Sequence, residues 1–99
     1  MTILDKITAQ KAIEVAAAKA YISIQDLEKS EFFARKINSL VASLSSENSS
    51  GIIAEHKRKS PSKGIINVSL SVEEITQGYA QAGAAGISVL TDTDFFGGN

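Results

Sequence analysis

Four basic residues and a single carboxylate crowd the stretch IIAEHKRKSPSKG, Ile52 to Gly64. Lys57, Arg58, Lys59 and Lys63 supply ammonium and guanidinium groups, Glu55 the acid, and Ser60 and Ser62 hydroxyls around Pro61. A carboxylate can hold a lysine in place, and a held lysine can bind an anion or donate a proton. The chemistry on offer is recognition of an anionic substrate with proton transfer. An alternative is a solvated basic tag, since KRK followed by SPSK matches loose nuclear-import and kinase patterns. Such tags belong in accessible segments, whereas this one leads straight out of the apolar Ile52-Ile53-Ala54. That favours a strand ending in charged residues.

Side chains alternate across a strand, so Ile53, Glu55 and Lys57 share one face and Ile52, Ala54 and His56 the other. A strand over Ile52 to Lys57 places the carbons bearing the Glu55 and Lys57 side chains about 6–7 Å apart at its C-terminal end. Parallel α/β proteins build their sites at that end. His56 points the other way, towards a helix layer, and reads as a packed, hydrogen-bonded residue rather than a catalytic one.

The rest of the chain supplies elements to position this stretch. Ile3, Leu4, Ile7, Ile13, Val15, Ala16 and Ala20 recur at helical spacings, with Thr2 and Asp5 as a variant capping box. Ser23 opens a short helix near Gln25 to Glu28, and Asn38 caps another running to Leu44. SSENSSG, Ser45 to Gly51, is a loop. After the basic stretch a loop runs to Leu70. Ser71 and Glu74 then form a capping box, Val72, Ile75, Tyr79 and Ala82 keep helical spacing, and Gly83 ends the helix. Ile87 to Leu90 reads as a second buried strand, followed by the loop TDTDFFGGN, in which Gly97 and Gly98 supply a turn. Strand, helix and strand make a βαβ unit with parallel strands. Two such strands leave unpaired edges, so the expectation is an N-terminal piece of a larger α/β protein, with residues 1–50 helical and 51–99 carrying the strand, helix, strand and following loop.

Composition narrows the function classes. The sequence is 43% hydrophobic and 21% charged, too apolar for a disordered chain, and its net charge of −1 draws it to neither nucleic acid nor an anionic membrane. With no cysteine there are no disulfides or thiolate chemistry, and the single histidine cannot make a metal site alone. No apolar run approaches the roughly 18 residues of a membrane span, so a cytoplasmic protein is expected. No G-x-G-x-x-G follows either strand.

IIAEHKRKSPSKG resembles the first-strand signature of the indole-3-glycerol phosphate synthase family: Ile-Ile-Ala-Glu, an apolar or aromatic residue, then Lys-Arg/Lys-x-Ser-Pro-Ser. ILDKI at Ile3 to Ile7 is similar to the family's N-terminal helix, and GYAQAGAAGISVLTDTDFFGG to its first barrel helix, second strand and following loop. The resemblance implies the N-terminal portion of a (β/α)8 barrel with a helical extension. It implies a cofactor-free lyase of tryptophan biosynthesis, which closes the ring of 1-(2-carboxyphenylamino)-1-deoxyribulose 5-phosphate and releases carbon dioxide and water. Glu55 resembles the family's first-strand catalytic glutamate, and Lys57 the lysine that contacts the substrate's anionic groups and assists proton transfer. Ser60 and Pro61 are implied to line the pocket, and Phe96 to pack on the anthranilate ring. His56 departs from the family's apolar residue at its position. The family's further acid, base and phosphate-binding residues belong to later strands, so the chain alone is expected to be inactive. The runner-up reading is a free-standing module that associates with itself. Self-association is expected in either case, to cover the orphan strand edges.

Overall fold

The computed structural model of the chain describes residues 1–66 and 69–98. It divides into two compact units, Met1–Ile37 and Asn38–Asn99.

The first unit is helical. Helix α1 spans Ile3–Tyr21 and α2 spans Ile24–Glu28, each started by a reciprocal capping box. The Thr2 hydroxyl accepts from the Asp5 N–H at 3.1 Å, and the Asp5 carboxylate accepts from the Thr2 N–H at 2.9 Å. Ser23 and Asp26 repeat the device at 3.1 and 2.9 Å. Two backbone donors that helix geometry leaves orphaned are satisfied at each start. Phe32 and Phe33, in the turns after α2, are both exposed.

The second unit carries the sheet. Helix α3 spans Leu40–Ser45, and its N-cap is Ser39, not Asn38: the Ser39 hydroxyl accepts from the Ala42 N–H at 3.0 Å. Strand β1 covers Ile53–His56, β2 Lys59–Ser60 and β3 Gly64–Ile65. Helix α4 covers Val72–Gln81 and β4 Gly86–Val89. β1 and β4 pair in parallel, with Ile53 opposite Gly86, Ala54 opposite Ile87, Glu55 opposite Ser88 and His56 opposite Val89. The expected βαβ unit is present. The Leu90 N–H donates to the His56 carbonyl at 3.0 Å. Beyond that bond the chain turns away, which leaves Lys57 just outside the strand.

It turns into a hairpin that the spacing of apolar residues did not announce. β2 and β3 are antiparallel, joined through Pro61, Ser62 and Lys63, and Gly64 closes the turn at φ +67°. Only two residues pair on each side, too few for an alternating pattern to show. Positions 67 and 68 of the expected loop to Leu70, and Asn99 of the last loop, lie outside the described residues.

Helix α4 starts with the Ser71–Glu74 capping box and ends in a Schellman motif. Gly83, at φ +99°, donates to the Ala80 carbonyl, and the Ala84 N–H donates to that of Tyr79. That turn delivers the chain directly into β4. Helix α3 closes on the same point, where the Ser43 hydroxyl donates to the Ala85 carbonyl at 2.6 Å. Gly86 permits the approach, since a Cβ there would lie 2.6 Å from Leu40 Cδ1.

No hydrophobic residue among those described is buried; the buried positions are His56 and Ser60. Two strands and one covering helix leave much of each apolar side chain in contact with water: Ile53 is 50% exposed and Ile87 40%. Among the described residues β1 and β4 have only each other as strand neighbours.

Candidate active site

The ladder brings four side chains to one place at the C-terminal ends of β1 and β4. Glu55 is the third residue of β1, and Lys57 follows one position past the strand end on the same parity. The Lys57 ammonium lies 3.8 Å from Glu55 Oε1. Ser88, opposite Glu55 in register, points its hydroxyl at Glu55 Oε2 at 3.5 Å. Across the mouth, the Lys57 ammonium stands 6.0 Å from the centre of the Phe96 ring, at the edge of cation–π range.

Phe96 reaches that position through backbone bonds. The Asp92 carboxylate caps the turn by accepting from the Phe95 N–H at 2.7 Å. The N–H groups of Gly97 and Gly98 donate to the carbonyls of Thr93 and Asp92 at 3.1 and 2.7 Å. Gly98 lies so close to the Leu90 and Thr91 backbone that a Cβ would meet it at 2.5 Å. The Phe96 carbonyl accepts from the Lys59 N–H at 3.2 Å, tying this loop to the hairpin that leaves β1. The two loops bordering the mouth are therefore one bonded assembly.

Lys57 and Glu55 are 39% and 46% exposed, so their ion pair contributes little to stability. Its value is positional: both groups remain open to an incoming molecule. With Arg58, Lys59 and Lys63 nearby in sequence, positive charge predominates along this stretch. A carboxylate facing an ammonium beside an aromatic ring can bind an anionic aromatic molecule and move a proton at its edge.

Ser60 is buried, and its hydroxyl accepts from the Lys63 N–H at 3.2 Å, with the Ser62 hydroxyl at 3.5 Å. It braces the hairpin turn. Pro61, at the tip, is exposed. Arg58 donates to the Leu70 carbonyl at 3.4 Å and so helps hold the segment leading into α4.

His56 lies on the opposite face from Glu55 and is 4% exposed. With Arg58, Val72, Val89 and Thr91 it lines a cavity of about 240 Å³ beside the start of α4. It is packed, as its parity requires. Its Nε2 is buried with no hydrogen-bond partner among the described residues.

Two contributors escaped the sequence reading. Ser88 stands alone as a hydroxyl among Ile87, Val89 and Leu90, which could have flagged it, but its position opposite Glu55 depends on register. Tyr79 was legible only as an apolar helix position, whereas its hydroxyl donates to the Glu55 carbonyl at 3.2 Å. Among the described residues no group of three or more His, Asp or Glu side chains could hold a metal ion, and no helix is long and apolar enough to cross a membrane.

Residues 4–99 match the family model for indole-3-glycerol phosphate synthase. The chain belongs to the indole-3-glycerol phosphate synthase family. It is 45% identical over 97 residues to the indole-3-glycerol phosphate synthase of Acinetobacter baumannii, covering 98% of this chain and 36% of that protein. The corresponding figures for that of Bacteroides thetaiotaomicron are 45%, 98% and 37%. For Legionella pneumophila they are 41%, 99% and 37%. The chain thus spans little more than a third of the length of the curated synthases it matches. Glu55, Lys57, Ser60, Pro61, Ser88 and Phe96 all fall inside the segment matched to the synthase family.

Proposed function

We propose that this chain supplies the helical extension (residues 1–50) and the first strand, first helix and second strand (51–99) of a (β/α)8-barrel indole-3-glycerol phosphate synthase. That enzyme would be a cytoplasmic lyase of tryptophan biosynthesis. It would convert 1-(2-carboxyphenylamino)-1-deoxyribulose 5-phosphate to indole-3-glycerol phosphate, carbon dioxide and water. The observation that carries the reading is the Glu55–Lys57 pair at the end of a parallel strand, facing the Phe96 ring.

In this reading the Lys57 ammonium meets the substrate's anionic groups and passes a proton during loss of water. Glu55 orients that ammonium and takes part in the proton traffic. Phe96 packs against the anthranilate ring, and Ser60 and Pro61 border the pocket through the hairpin they build. Catalysis by preorganised charge needs donors on several sides of the reacting atoms. One strand end offers them on one side only, so the 99 residues alone do not turn over.

The test is a chimera in which these 99 residues replace the matched segment of the Acinetobacter baumannii synthase, assayed by the appearance of indole fluorescence. Activity in the chimera and none in the isolated chain is the expected result. An inactive chimera that folds would defeat the reading.

The exposed apolar residues and the outer edges of β1 and β4, unpaired among the described residues, support a second reading, in which the isolated chain associates with itself. Sedimentation should find dimers or larger species. A monodisperse monomer would count against it. If association were the sole function, replacing Glu55 with Gln and Lys57 with Met together would leave it unchanged.

A further inference from the structure

The two oxygens of the Glu55 carboxylate face different partners on different segments. Oε1 faces the Lys57 ammonium at 3.8 Å, and Oε2 faces the Ser88 hydroxyl at 3.5 Å. Neither contact is tight: a charge-assisted N–H···O bond normally closes to about 2.7–2.9 Å, and a hydroxyl to a carboxylate to about 2.5–2.7 Å. The carboxylate is held between the two. Its main chain is fixed as well, since the Glu55 carbonyl accepts from Tyr79 and Glu55 is registered opposite Ser88 in the ladder.

We infer that Ser88 is a positioning residue which sets the spacing of the Glu55–Lys57 pair and keeps the lysine available to an anionic substrate. Without the hydroxyl, Lys57 is the only partner left to the carboxylate among the described residues, and attraction closes the pair into a tight contact. An ammonium engaged in that way must be pulled from Glu55 before it can meet a substrate carboxylate or phosphate. The cost falls on substrate binding more than on the later steps. This rests on the proposed synthase reading for its effect on turnover, but not for its effect on the position of Glu55.

Two measurements separate these dependences. In the 99-residue chain, side-chain ¹³C relaxation and couplings of Glu55 are compared in the unaltered protein, Ser88→Ala, Ser88→Thr and Ser88→Val. Thr keeps the hydroxyl and Val has the same shape without it. The expected result is one preferred Glu55 rotamer in the unaltered and Thr chains and a shifted rotamer population in Ala and Val. An unchanged rotamer in Ala and Val overturns the inference whatever the chimera does. In the chimera, Ser88→Ala and Ser88→Val should raise KM by about five- to tenfold with kcat held within about threefold, while Thr stays within about twofold of the parent. Equal loss in Thr and Val, or a fall confined to kcat, also overturns it. An inactive parent chimera would refute the synthase reading and leave the rotamer measurement to decide the role of Ser88.

Discussion

The hydroxyl of Tyr79 donates to the main-chain carbonyl of Glu55 at 3.2 Å, joining the middle of α4 to the residue of β1 that carries the acid. Strand, helix and site are linked by this bond, because the same residue presents its side chain to the mouth and its carbonyl to the helix layer. Tyr79→Phe keeps the ring and removes the donor. It should lower stability by about 0.5–1.5 kcal/mol in denaturant titration. No change in midpoint would mean that water replaces the hydroxyl without loss.

Glu55→Gln and Lys57→Met test the proposed proton-transfer roles directly. Each should reduce kcat/KM of the chimera by about 10²-fold or more, the usual scale for a positioned proton-transfer group. Because both side chains are well exposed, neither change should shift the unfolding midpoint by more than about 1 kcal/mol. A loss of activity accompanied by a large loss of stability would assign the pair a structural role.

His56 is buried with an unpartnered Nε2 among the described residues, so its ring carries a desolvation cost. Replacing it with Leu, of similar volume, should raise stability by about 1 kcal/mol. A comparable drop in midpoint would reveal a hydrogen bond at that nitrogen in solution.

Gly98 and Gly86 both sit in close approaches, but against different neighbours. A methyl at Gly98 meets the Leu90 and Thr91 backbone at 2.5 Å, while one at Gly86 meets the mobile end of the Leu40 side chain at 2.6 Å. Gly98→Ala should therefore cost about 2–3 kcal/mol and Gly86→Ala about 1 kcal/mol. Only the former should displace Phe96 and weaken binding in the chimera. The reverse order in thermal melts would contradict the packing described for the last loop.

The capping boxes of α1 and α2 impose an acid dependence on helicity. Asp5 is held below the ordinary 3.8 by the Thr2 backbone N–H and then by the Thr2 hydroxyl. Asp26 is held below the same value by the corresponding groups of Ser23. Both pKa values are depressed in the folded state, so the caps contribute fully above the unfolded value and are lost as pH falls through the folded ones. Circular dichroism should show helix content steady down to about pH 4 and declining below it. Asp5→Asn with Asp26→Asn should flatten that decline, and an undiminished acid step in the double variant would place its origin elsewhere.

The sequence by itself determined what local physics controls. Capping residues such as Thr2, Ser23 and Ser71 marked the helix starts because each satisfies donors within three residues of itself. The parity of β1 put Glu55 and Lys57 on one face and buried His56 on the other, since alternation along a strand needs no partner. The cap of α3 was misplaced by one residue because Asn38 and Ser39 are both good caps. Only the tertiary structure decided the rest. That Ser88 lies opposite Glu55, that Tyr79 reaches its carbonyl, and that Lys59 bonds to Phe96 all join residues 24 to 37 positions apart. Such pairings are set by strand register and loop closure, which arise from the packing of whole elements and leave no periodic trace in either segment alone.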